Sequence, residues 1–448
     1  MKRIVITLCF ILNALISFTA EISGSLPVLH VNTSTPITSK EEYVTGTLII
    51  DSMNGTAPSK PIAISIRGRG NWTWSDTFDK KSYKIKFKEE TAFLGMPADK
   101  HFALLAHADG YQNFFSNKAG FFLSEQFQMP FTPKERAVEV VLNGDYIGLY
   151  IVTETVRISP NRVNITKQNI YTTDPQDYGG WLLELDNNED THQAKIPVSG
   201  TNLERFWVTI HSPEELSVAQ FNGLYVEMEE LLKKVFCEDK DSREWEEMID
   251  LNMLARYYLI NEMIDHVEAF QGSCYFFRDK HNKKWMFGPL WDLGHALNNW
   301  HSKDRYIYDV DGWTTDISRE FMKFPRFRNT VGQLWKTKGE ELMESLKDEI
   351  RQFADSIQPA FNSNCQRWPK YYPYTIDEIM PIMLAQIDAK KVFLNSVFTD
   401  TPTTIESTKS DTDNTNVTVY NLQGKKFDGN HQWHHQIVIK KGKKFIGR

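Results

Sequence analysis

"IRGRGNWTWSDTFDKKSYKIKF", residues 66–87, joins two predicted strands through a glycine-rich turn. The second strand alternates between apolar residues on one face and lysine or serine on the other. Gly68 and Gly70 allow backbone amides to approach a ligand closely, and the guanidinium groups of Arg67 and Arg69 suit phosphate or carboxylate. The stretch therefore predicts either a cradle for the phosphates of a nucleotide or a tight hairpin turn with solvated cations.

Strand patterns continue through the first half of the chain. Alternating or β-branched runs occupy residues 43–50, 61–68, 137–158 and 179–188. The third run contains Asn143-Gly144-Asp145, which is typical of a hairpin turn. A helical stripe of aromatic residues interrupts the runs at 113–127. These patterns predict a β-rich region from about residue 25 to about residue 200.

The second half changes to helical periodicity. Residues 251–267 have apolar side chains at helical spacing, and Asp250 before them is a residue type that caps helices. A hairpin pattern follows at 274–291, and residues 318–396 are mostly helical in pattern. A β-rich half before a helix-rich half predicts the α+β class with two lobes, the helical lobe spanning about 214–398.

Two acidic positions in the second half are candidates for chemistry. The end of the predicted helix carries Asp265, His266 and Glu268, where a carboxylate either acts as a base, orients a hydroxyl group or is simply solvated. Asp292 stands between two large apolar residues, and a carboxylate in such surroundings needs a cation or several donors. With amide side chains following it, Asp292 either holds a hard cation such as Mg²⁺ or caps the turn after the hairpin.

The composition limits the classes of partner. The chain has 448 residues, a net charge of −7 and 41% hydrophobic residues, which favours a well-packed protein of two or three units without a broad basic surface. Nucleic acid is therefore not an expected partner. Only Cys237, Cys274 and Cys365 lie outside the N-terminal segment, so the core rather than a disulfide framework must stabilise the fold.

The N-terminal segment, residues 1–20, has a basic start and an apolar run from Ile4 to Phe18. This pattern is typical of a secretory signal peptide, and a membrane anchor is the alternative. No other segment is long and apolar enough to cross a membrane, so we expect no membrane span in the mature chain. The expected location is outside the cell, either secreted or attached to the cell surface.

The C-terminal part has a different composition from the rest of the chain. Residues 399–416 are polar and threonine-rich, which predicts a linker, and residues 417–448 return to short strand patterns, which predict a small β segment. "VTVYNLQGKKF" (417–427) and "IVIKKGKKFIGR" (437–448) resemble the C-terminal sorting domain of type IX secretion, found in Bacteroidota. The resemblance implies export by that route.

Five motifs along the chain together resemble the CotH kinase family. They are "RGRGNWTW" (67–74), "KKSYKIKF" (80–87), "LLAHADGYQNFFSNKAGFFLSEQF" (104–127), "VEVVLNGDYIGLYIVTETV" (138–156) and "FGPLWDLGHALNN" (287–299). The resemblance covers roughly residues 25–395 and implies a CotH kinase-like domain over residues 21–398 with an atypical protein-kinase-like fold. Active members of the family transfer phosphate from ATP to protein hydroxyl groups with a divalent metal.

The resemblance also implies roles for particular residues. The nucleotide phosphates would be bound by the turn Arg67, Gly68, Arg69, Gly70 and Asn71. Lys81 and Lys86 would neutralise phosphate charge, and Glu154 would pair with such a lysine. Asp292 would bind Mg²⁺, and Glu268 stands where the family has a catalytic-loop aspartate.

Three positions depart from the pattern of the family. Glu268 replaces an aspartate, Ser273 replaces a preferred asparagine, and Gly294 replaces the second acid of a Trp-Asp-x-Asp motif. Each change weakens metal binding or positioning, on which phosphoryl transfer depends. The sequence therefore leaves two hypotheses: an exported atypical protein kinase that uses ATP and Mg²⁺, or a catalytically impaired surface-binding or structural protein on the same fold.

Overall fold

The computed structural model describes residues 21–174, 177–186, 193–196, 206–280, 282–310 and 316–399, and three short segments at 420–421, 437–440 and 443–446. The chain divides into two compact units between Thr403 and Thr404. The predicted signal peptide and nearly all of the predicted linker lie outside the described residues. The first unit mixes strands and helices, which confirms the α+β class. Its division into two kinase-like lobes stays a prediction.

Seven strands of the first unit close into a barrel. They are β1 (Val28–Thr33), β2 (Val44–Asp51), β3 (Ile62–Gly68), β4 (Tyr83–Phe93), β5 (Met96–Leu105), β6 (Glu135–Leu142) and β7 (Asp145–Glu154). The strand order is β1-β2-β3-β4-β5-β7-β6, and the parallel pairing of β1 with β6 closes the ring. The sequence predicted hairpins here, but the parallel contact that closes them into a barrel links distant segments and had no local signal.

Alternation along the strands decides which side chains fill the barrel. Ile66, Ile85 and Phe102 are almost fully buried in a core cluster with other inward-facing residues of the seven strands. Arg67 and Lys84 lie opposite each other in the β3–β4 register and therefore share the outer face. The same pattern that builds the core thus places a row of cations on the outside of the barrel.

A second sheet of the first unit is antiparallel throughout. Its strands are β8 (Trp181–Leu185), β9 (Gln193–Ile196), β10 (Phe206–Ser212), β11 (Cys274–Arg278) and β12 (Met286–Phe287), in the order β12-β11-β8-β10-β9. The pairing of β8 with β11 places Glu184 opposite Tyr275. The β11–β12 hairpin also leads directly into the segment that carries Asp292, so this sheet supports the candidate site.

Helices cover the two sheets. They are α1 (Asn113–Gln126), α2 (Val218–Val235), α3 (Leu251–Met263), α4 (Asp316–Lys323), α5 (Pro325–Leu334), α6 (Glu340–Arg367) and α7 (Ile376–Val397). The predicted cap of α3 is confirmed, because the Asp250 side chain accepts a hydrogen bond of 2.9 Å from the backbone N–H of Met253. α6 packs against α1, α7 and β7. Among the described residues, no helix is long and apolar enough to cross a membrane.

The second unit contributes three short strands. β13 (Tyr420–Asn421), β14 (Ile437–Lys440) and β15 (Lys443–Ile446) pair as an antiparallel sheet in the order β13-β14-β15. Lys440 lies opposite Lys443 in the last hairpin. The predicted likeness of this segment to a secretion sorting domain stays a prediction.

Candidate functional site

The glycine-rich turn between β3 and β4 has a backbone that requires glycine at two positions. Gly70 has φ +90°, a left-handed conformation that side chains disfavour. A Cβ atom at Gly68 would lie 2.4 Å from the ring of Trp74, so only glycine lets that ring pack against the strand end. The backbone N–H of Arg69 donates a hydrogen bond of 3.1 Å to the carbonyl oxygen of Ser82. The turn therefore holds its two arginines on a fixed backbone.

Arg69 connects this turn to the segment that carries Asp292. Its guanidinium carbon lies 5.5 Å from the ring centroid of Trp291, a cation–π contact. Desolvation lowers the pKa of Arg69, and the nearby negative charge of Asp292 opposes that shift more strongly than the charge of Glu184 does. Folding thus brings together the turn and the carboxylate that the sequence analysis assigned to one site.

Asp292 is not buried, although both of its neighbours are. Trp291 and Leu293 are 8% and 1% exposed, whereas Asp292 itself is exposed. Asp292 has φ +52°, a left-handed conformation that aspartate and asparagine adopt more readily than other non-glycine residues. The backbone N–H of Leu293 donates a hydrogen bond of 3.3 Å to Asn117 Oδ1, which fixes the turn. The carboxylate therefore avoids the desolvation cost inferred from its apolar neighbours and remains reachable by a ligand.

A second carboxylate of the site, Asp109, was missed by the sequence analysis. Desolvation by the surrounding protein and then the negative charge of Asp292 raise the pKa of Asp109 to about 6, although solvent still reaches the residue. Asn113 Nδ2 donates a hydrogen bond of 3.1 Å to Asp109 Oδ1. In the sequence, Asp109 before Gly110 is typical of a loop, and only folding brings it near Asp292.

Glu268 lies in the loop after α3 and reaches the same region through a histidine. Its Oε2 atom is 3.5 Å from His295 Nε2. Burial lowers the pKa of His295, and the charge of Asp292 opposes the shift. A largely neutral imidazole therefore lies near both carboxylates at neutral pH.

Buried ion pairs hold the loop that carries Glu268. Asp265 has φ +54°, and its carboxylate oxygens lie 2.5 Å from Lys303 Nζ, 3.1 Å from His301 Nε2 and 3.2 Å from Lys390 Nζ. Lys390 Nζ also lies 2.5 Å from Glu262 Oε1. Desolvation raises the pKa of Asp265, but the cations, led by Lys390, outweigh it and lower the pKa to about 2. Asp265 therefore supports the loop rather than facing a ligand.

His266, the third residue of that predicted cluster, is also structural. Its Nδ1 atom lies 3.0 Å from Asn261 Oδ1 within the protein core. Burial lowers the pKa of His266 to about 3, so the ring is neutral over the physiological range. Of the cluster predicted at the end of α3, only Glu268 thus remains a candidate for direct contact with a ligand.

The two lysines predicted to neutralise phosphate have local contacts in the structure. Lys81 Nζ donates a hydrogen bond of 2.6 Å to the carbonyl oxygen of Ser75, within the glycine-rich turn region. Lys86 Nζ lies 5.6 Å from the ring centroid of Tyr43, on the exposed outer face of the barrel. Neither contact joins these lysines to Asp292, and their role as phosphate ligands stays a prediction.

Glu154 has an arginine as its cation partner, whereas the sequence analysis expected a lysine such as Lys81 or Lys86. Its Oε1 atom lies 3.7 Å from Arg162 Nε, and its Oε2 atom accepts a hydrogen bond of 2.9 Å from the backbone N–H of Lys134. Arg162 follows β7 on a loop, and no pattern in the sequence marks it as a partner. Glu154 thus helps to fix that loop to the end of the barrel.

Lys84 is the lysine of β4 that has the strongest cationic surroundings. Burial, followed by the positive charges of Arg67, Arg69 and Arg157, lowers its pKa from 10.5 to about 8. The alternating pattern of the sequence gave no reason to choose Lys84 over Lys86, because the proximity of Arg157 arises only on folding. A cluster of mutually repelling cations favours an anionic ligand, which would relieve the repulsion.

The shifted pKa of Lys84 predicts a pH dependence of anion binding. Because Lys84 loses its proton as the pH rises through about 8, we expect this cationic cluster to bind an anionic probe such as ATP roughly tenfold more weakly at about pH 9 than at about pH 7. In Lys84→Arg, the charge persists and the fall should disappear. Calorimetric titration at both pH values measures this, with Lys88→Arg, an exposed lysine of the same strand, as the matched control. An unchanged pH dependence in Lys84→Arg would contradict the assignment.

The fold and the site together define an α+β protein with a closed barrel, whose basic outer strands meet a region rich in carboxylates. The family model described as CotH kinase protein matches residues 64–395, which is most of the chain. The chain therefore belongs to the CotH kinase protein family, and the predicted resemblance is confirmed at the level of the family. No curated protein matches the chain.

Proposed function

We propose that this chain binds ATP with Mg²⁺ where the glycine-rich turn meets Asp292, and transfers the terminal phosphate to hydroxyl groups of a protein. The observation that carries the proposal is the position of Arg69, which lies over Trp291 and near Asp292. Phosphoryl transfer depends on placing cationic groups and a metal ligand around the same phosphate. The cationic outer strands of the barrel and the carboxylates beside Asp292 supply both kinds of group.

The residues present fit a hard divalent cation. Asp292 and Asp109 are carboxylates that solvent reaches, and the buried side-chain oxygen of Asn113 has no hydrogen-bond partner among the described residues. Carboxylate and amide oxygens are the ligands that Mg²⁺ prefers. The described parts of the chain contain no group of three or more His, Cys, Asp or Glu side chains suited to a metal, so amide, water or phosphate oxygens would complete the coordination.

In the proposed reaction, the bond from the terminal phosphorus to the oxygen bridging it to the second phosphate breaks. A new bond forms from that phosphorus to the hydroxyl oxygen of the substrate. The hydroxyl proton passes to the carboxylate of Glu268, which acts as the base. Arg69, Arg67 and Lys84 stabilise the charge on the phosphate oxygens, and bound Mg²⁺ would neutralise charge between the phosphates.

A transfer assay tests this proposal. The chain starting at Glu21 is incubated with ATP labelled at the terminal phosphate, Mg²⁺ and a general protein substrate. We expect label to enter protein only with Mg²⁺, and Glu268→Gln to reduce the rate at least ~100-fold, because general-base catalysis contributes about that much. Glu90→Gln changes an exposed glutamate of the barrel and serves as the control. Equal rates in Glu268→Gln and the wild type would contradict the assigned base.

A catalytically impaired binding protein is the second candidate function. Two features favour it. The carboxylate of Glu268, the proposed base, lies 3.5 Å from His295 Nε2, and position 294 has a glycine in place of the family's second acid. This candidate retains the cationic strands and Asp292 for ligand binding alone. ATP binding to the wild type without any transfer of label would decide in its favour.

We also propose that the chain is exported. The proposal is supported by the basic and apolar pattern of residues 1–20, and by the likeness of the C-terminal strand patterns to a type IX sorting domain. The N-terminal residue of the exported protein, read by mass spectrometry, is expected near Glu21. An exported protein that retains Met1 would contradict removal of the segment.

A further inference from the structure

The outer face of the barrel carries three cations that no carboxylate neutralises. Arg67 of β3 lies opposite Lys84 of β4, and Ser65 lies opposite Lys86, so the three cations share one face. We call Arg67, Lys84 and Lys86 the cationic row. Within the described parts of the chain, none of the three forms an ion pair.

One aromatic ring holds two members of the row side by side. The guanidinium carbon of Arg67 lies 5.2 Å from the ring centroid of Tyr43, and Lys86 Nζ lies 5.6 Å from the same centroid. Burial, and then the positive charge of Arg67, lowers the pKa of Lys84, so the members of the row are close enough to repel one another. An anion bound across the row would relieve this repulsion.

The acids of the surrounding strands are paired elsewhere or lie away from the row. β3 contains no acidic residue. Asp99, the acid of β5, is 5% exposed and lies 3.3 and 3.5 Å from two arginines of the loop after β7. The acids of β2 and β4, Asp51, Glu89 and Glu90, lie toward the ends of those strands that are farther from the glycine-rich turn. The row therefore calls for an anionic partner from outside the chain.

The loop before β2 joins this row to the glycine-rich turn. The backbone N–H of Gly68 donates a hydrogen bond of 2.9 Å to the carbonyl oxygen of Ser39 in that loop. Tyr43, at the end of the loop, also lines a cavity of about 320 Å³, most of whose other lining residues carry hydroxyl groups. Glu42 is the one acid of that lining, so the row rather than the cavity favours an acidic ligand.

The spacing of the row matches that of an extended peptide. Alternate residues on one face of a strand are ~7 Å apart, and Lys84 and Lys86 are alternate residues of β4. An extended peptide repeats its side chains at the same distance, so carboxylates at alternate positions can each meet one cation. The net charge of −7 disfavours a nucleic acid as the partner.

We propose that the cationic row binds the substrate protein through acidic residues at alternate positions beside the hydroxyl group that receives the phosphate. The inference rests on the proposed function for the position of ATP, and it deepens that function by naming the substrate class, an acidic protein segment. It assigns Lys86 to the substrate protein rather than to the phosphates of ATP. Arg67 and Lys84 are nearer to the turn and lie between the two ligands.

Two peptides of equal length test this surface. One is Ala-Glu-Ala-Glu-Ala-Ser-Ala-Glu-Ala-Glu-Ala with blocked ends, and the other has glutamine in place of every glutamate. With the chain starting at Glu21, Mg²⁺ and saturating ATP, we expect kcat/KM to be at least ~10-fold higher for the glutamate peptide at low salt, and the preference to shrink as salt is added.

Lys86→Glu is the decisive variant, because the ratio of the two kcat/KM values cancels any effect on ATP. We expect this ratio to fall at least ~5-fold, since one attraction is lost and one repulsion is added. Lys284→Glu, at an exposed lysine of the β11–β12 turn, is the matched control and should keep the wild-type ratio. Thermal melting of each variant shows that it is folded. An unchanged ratio in Lys86→Glu would overturn the inference and leave the proposed function standing.

Binding of fluorescent peptides, measured by anisotropy without ATP, separates the remaining outcomes. Preferred binding of the glutamate peptide without transfer to either peptide would contradict the proposed function and retain an acidic segment as the partner. Tighter binding of a single-stranded DNA oligonucleotide of the same charge would overturn the assignment of the row to a protein.

Discussion

Asp292→Asn is expected to abolish magnesium-dependent binding of ATP while leaving the fold nearly intact. Asparagine keeps the shape of the side chain, one acceptor oxygen and tolerance of the left-handed backbone, for which φ is +52° here. It removes the negative charge that attracts a hard cation. We therefore expect the affinity for ATP in the presence of Mg²⁺ to fall by about 100-fold or more, a loss at least as large as that for groups supporting metal ligands.

The alternative role of Asp292 has a different signature. If Asp292 only caps its turn, Asp292→Asn should change the free energy of unfolding by about 1 kcal/mol or less and leave ATP binding untouched. Thermal melts and calorimetric titrations of the wild type and the variant, with and without Mg²⁺, distinguish the two roles. Asp355→Asn, an exposed aspartate of α6 outside the proposed site, is the control for loss of one exposed carboxylate. Equal stabilisation of wild type and Asp292→Asn by ATP with Mg²⁺ would exclude the metal role.

Lys390→Met is expected to produce the largest loss of stability. Lys390 is 1% exposed and lies 2.5 Å from Glu262 and 3.2 Å from Asp265. Methionine keeps most of the length of the side chain but leaves two buried carboxylates with less compensating charge. Breaking a buried ion pair in this way lowers the free energy of unfolding by about 3–5 kcal/mol. Lys391→Met, the next residue, breaks only a partly exposed pair with Glu344 and should cost less than about 1 kcal/mol.

The pH dependence of that loss gives an internal check. Burial already raises the pKa of Glu262, with Lys390 opposing the shift. Without the lysine, the folded-state pKa of Glu262 rises further above its unfolded value, so the lost stability is recovered as the pH falls and Glu262 takes up a proton. Urea denaturation of both variants at about pH 7 and about pH 5 measures this effect. Equal stability of Lys390→Met and Lys391→Met at the higher pH would contradict the structural role given to the cluster.

The lysines of residues 80–87 show where prediction from the sequence stops. Lys80 is buried and donates to the carbonyl oxygens of Ala106 and Leu149, Lys81 is bound to the turn, and Lys86 is exposed. Lys84 lies near Arg67, Arg69 and Arg157. Period-two alternation determined the face of Lys84 and Lys86, but the neighbours of that face come from strands and loops far away in the chain.

The sequence predicted only the parts of the candidate site that have local signals, because the contacts between distant segments arise on folding. The glycine-rich turn and Asp292 carry local signals, namely two glycines between arginines and an acid after an aromatic run. The structure brings these two segments together through Arg69 and Trp291. Asp109 looked like an ordinary loop residue, because its significance depends on α1 packing beside the segment of Asp292.

Two departures from the family pattern, Gly294 and Glu268, can be placed in the structure. A Cβ atom at Gly294 would lie in van der Waals contact with Asn113, 3.4 Å from Nδ2, so an acid at this position would lie beside that amide. Glu268 is one methylene longer than the aspartate of the family and contacts His295. On the proposed function, the first departure would affect cation binding and the second would affect proton transfer, so the proposal predicts that binding and catalysis are separable in this chain.

The central claim is that ATP and a divalent cation bind together where the glycine-rich turn meets Asp292. The most direct test is the melting temperature of the chain starting at Glu21 with ATP, with Mg²⁺, with both and with neither. The account predicts that both together stabilise the fold by more than either alone, by about 2.7 kcal/mol when ATP is at about 100 times its dissociation constant. The same melting temperature in all four conditions would contradict it.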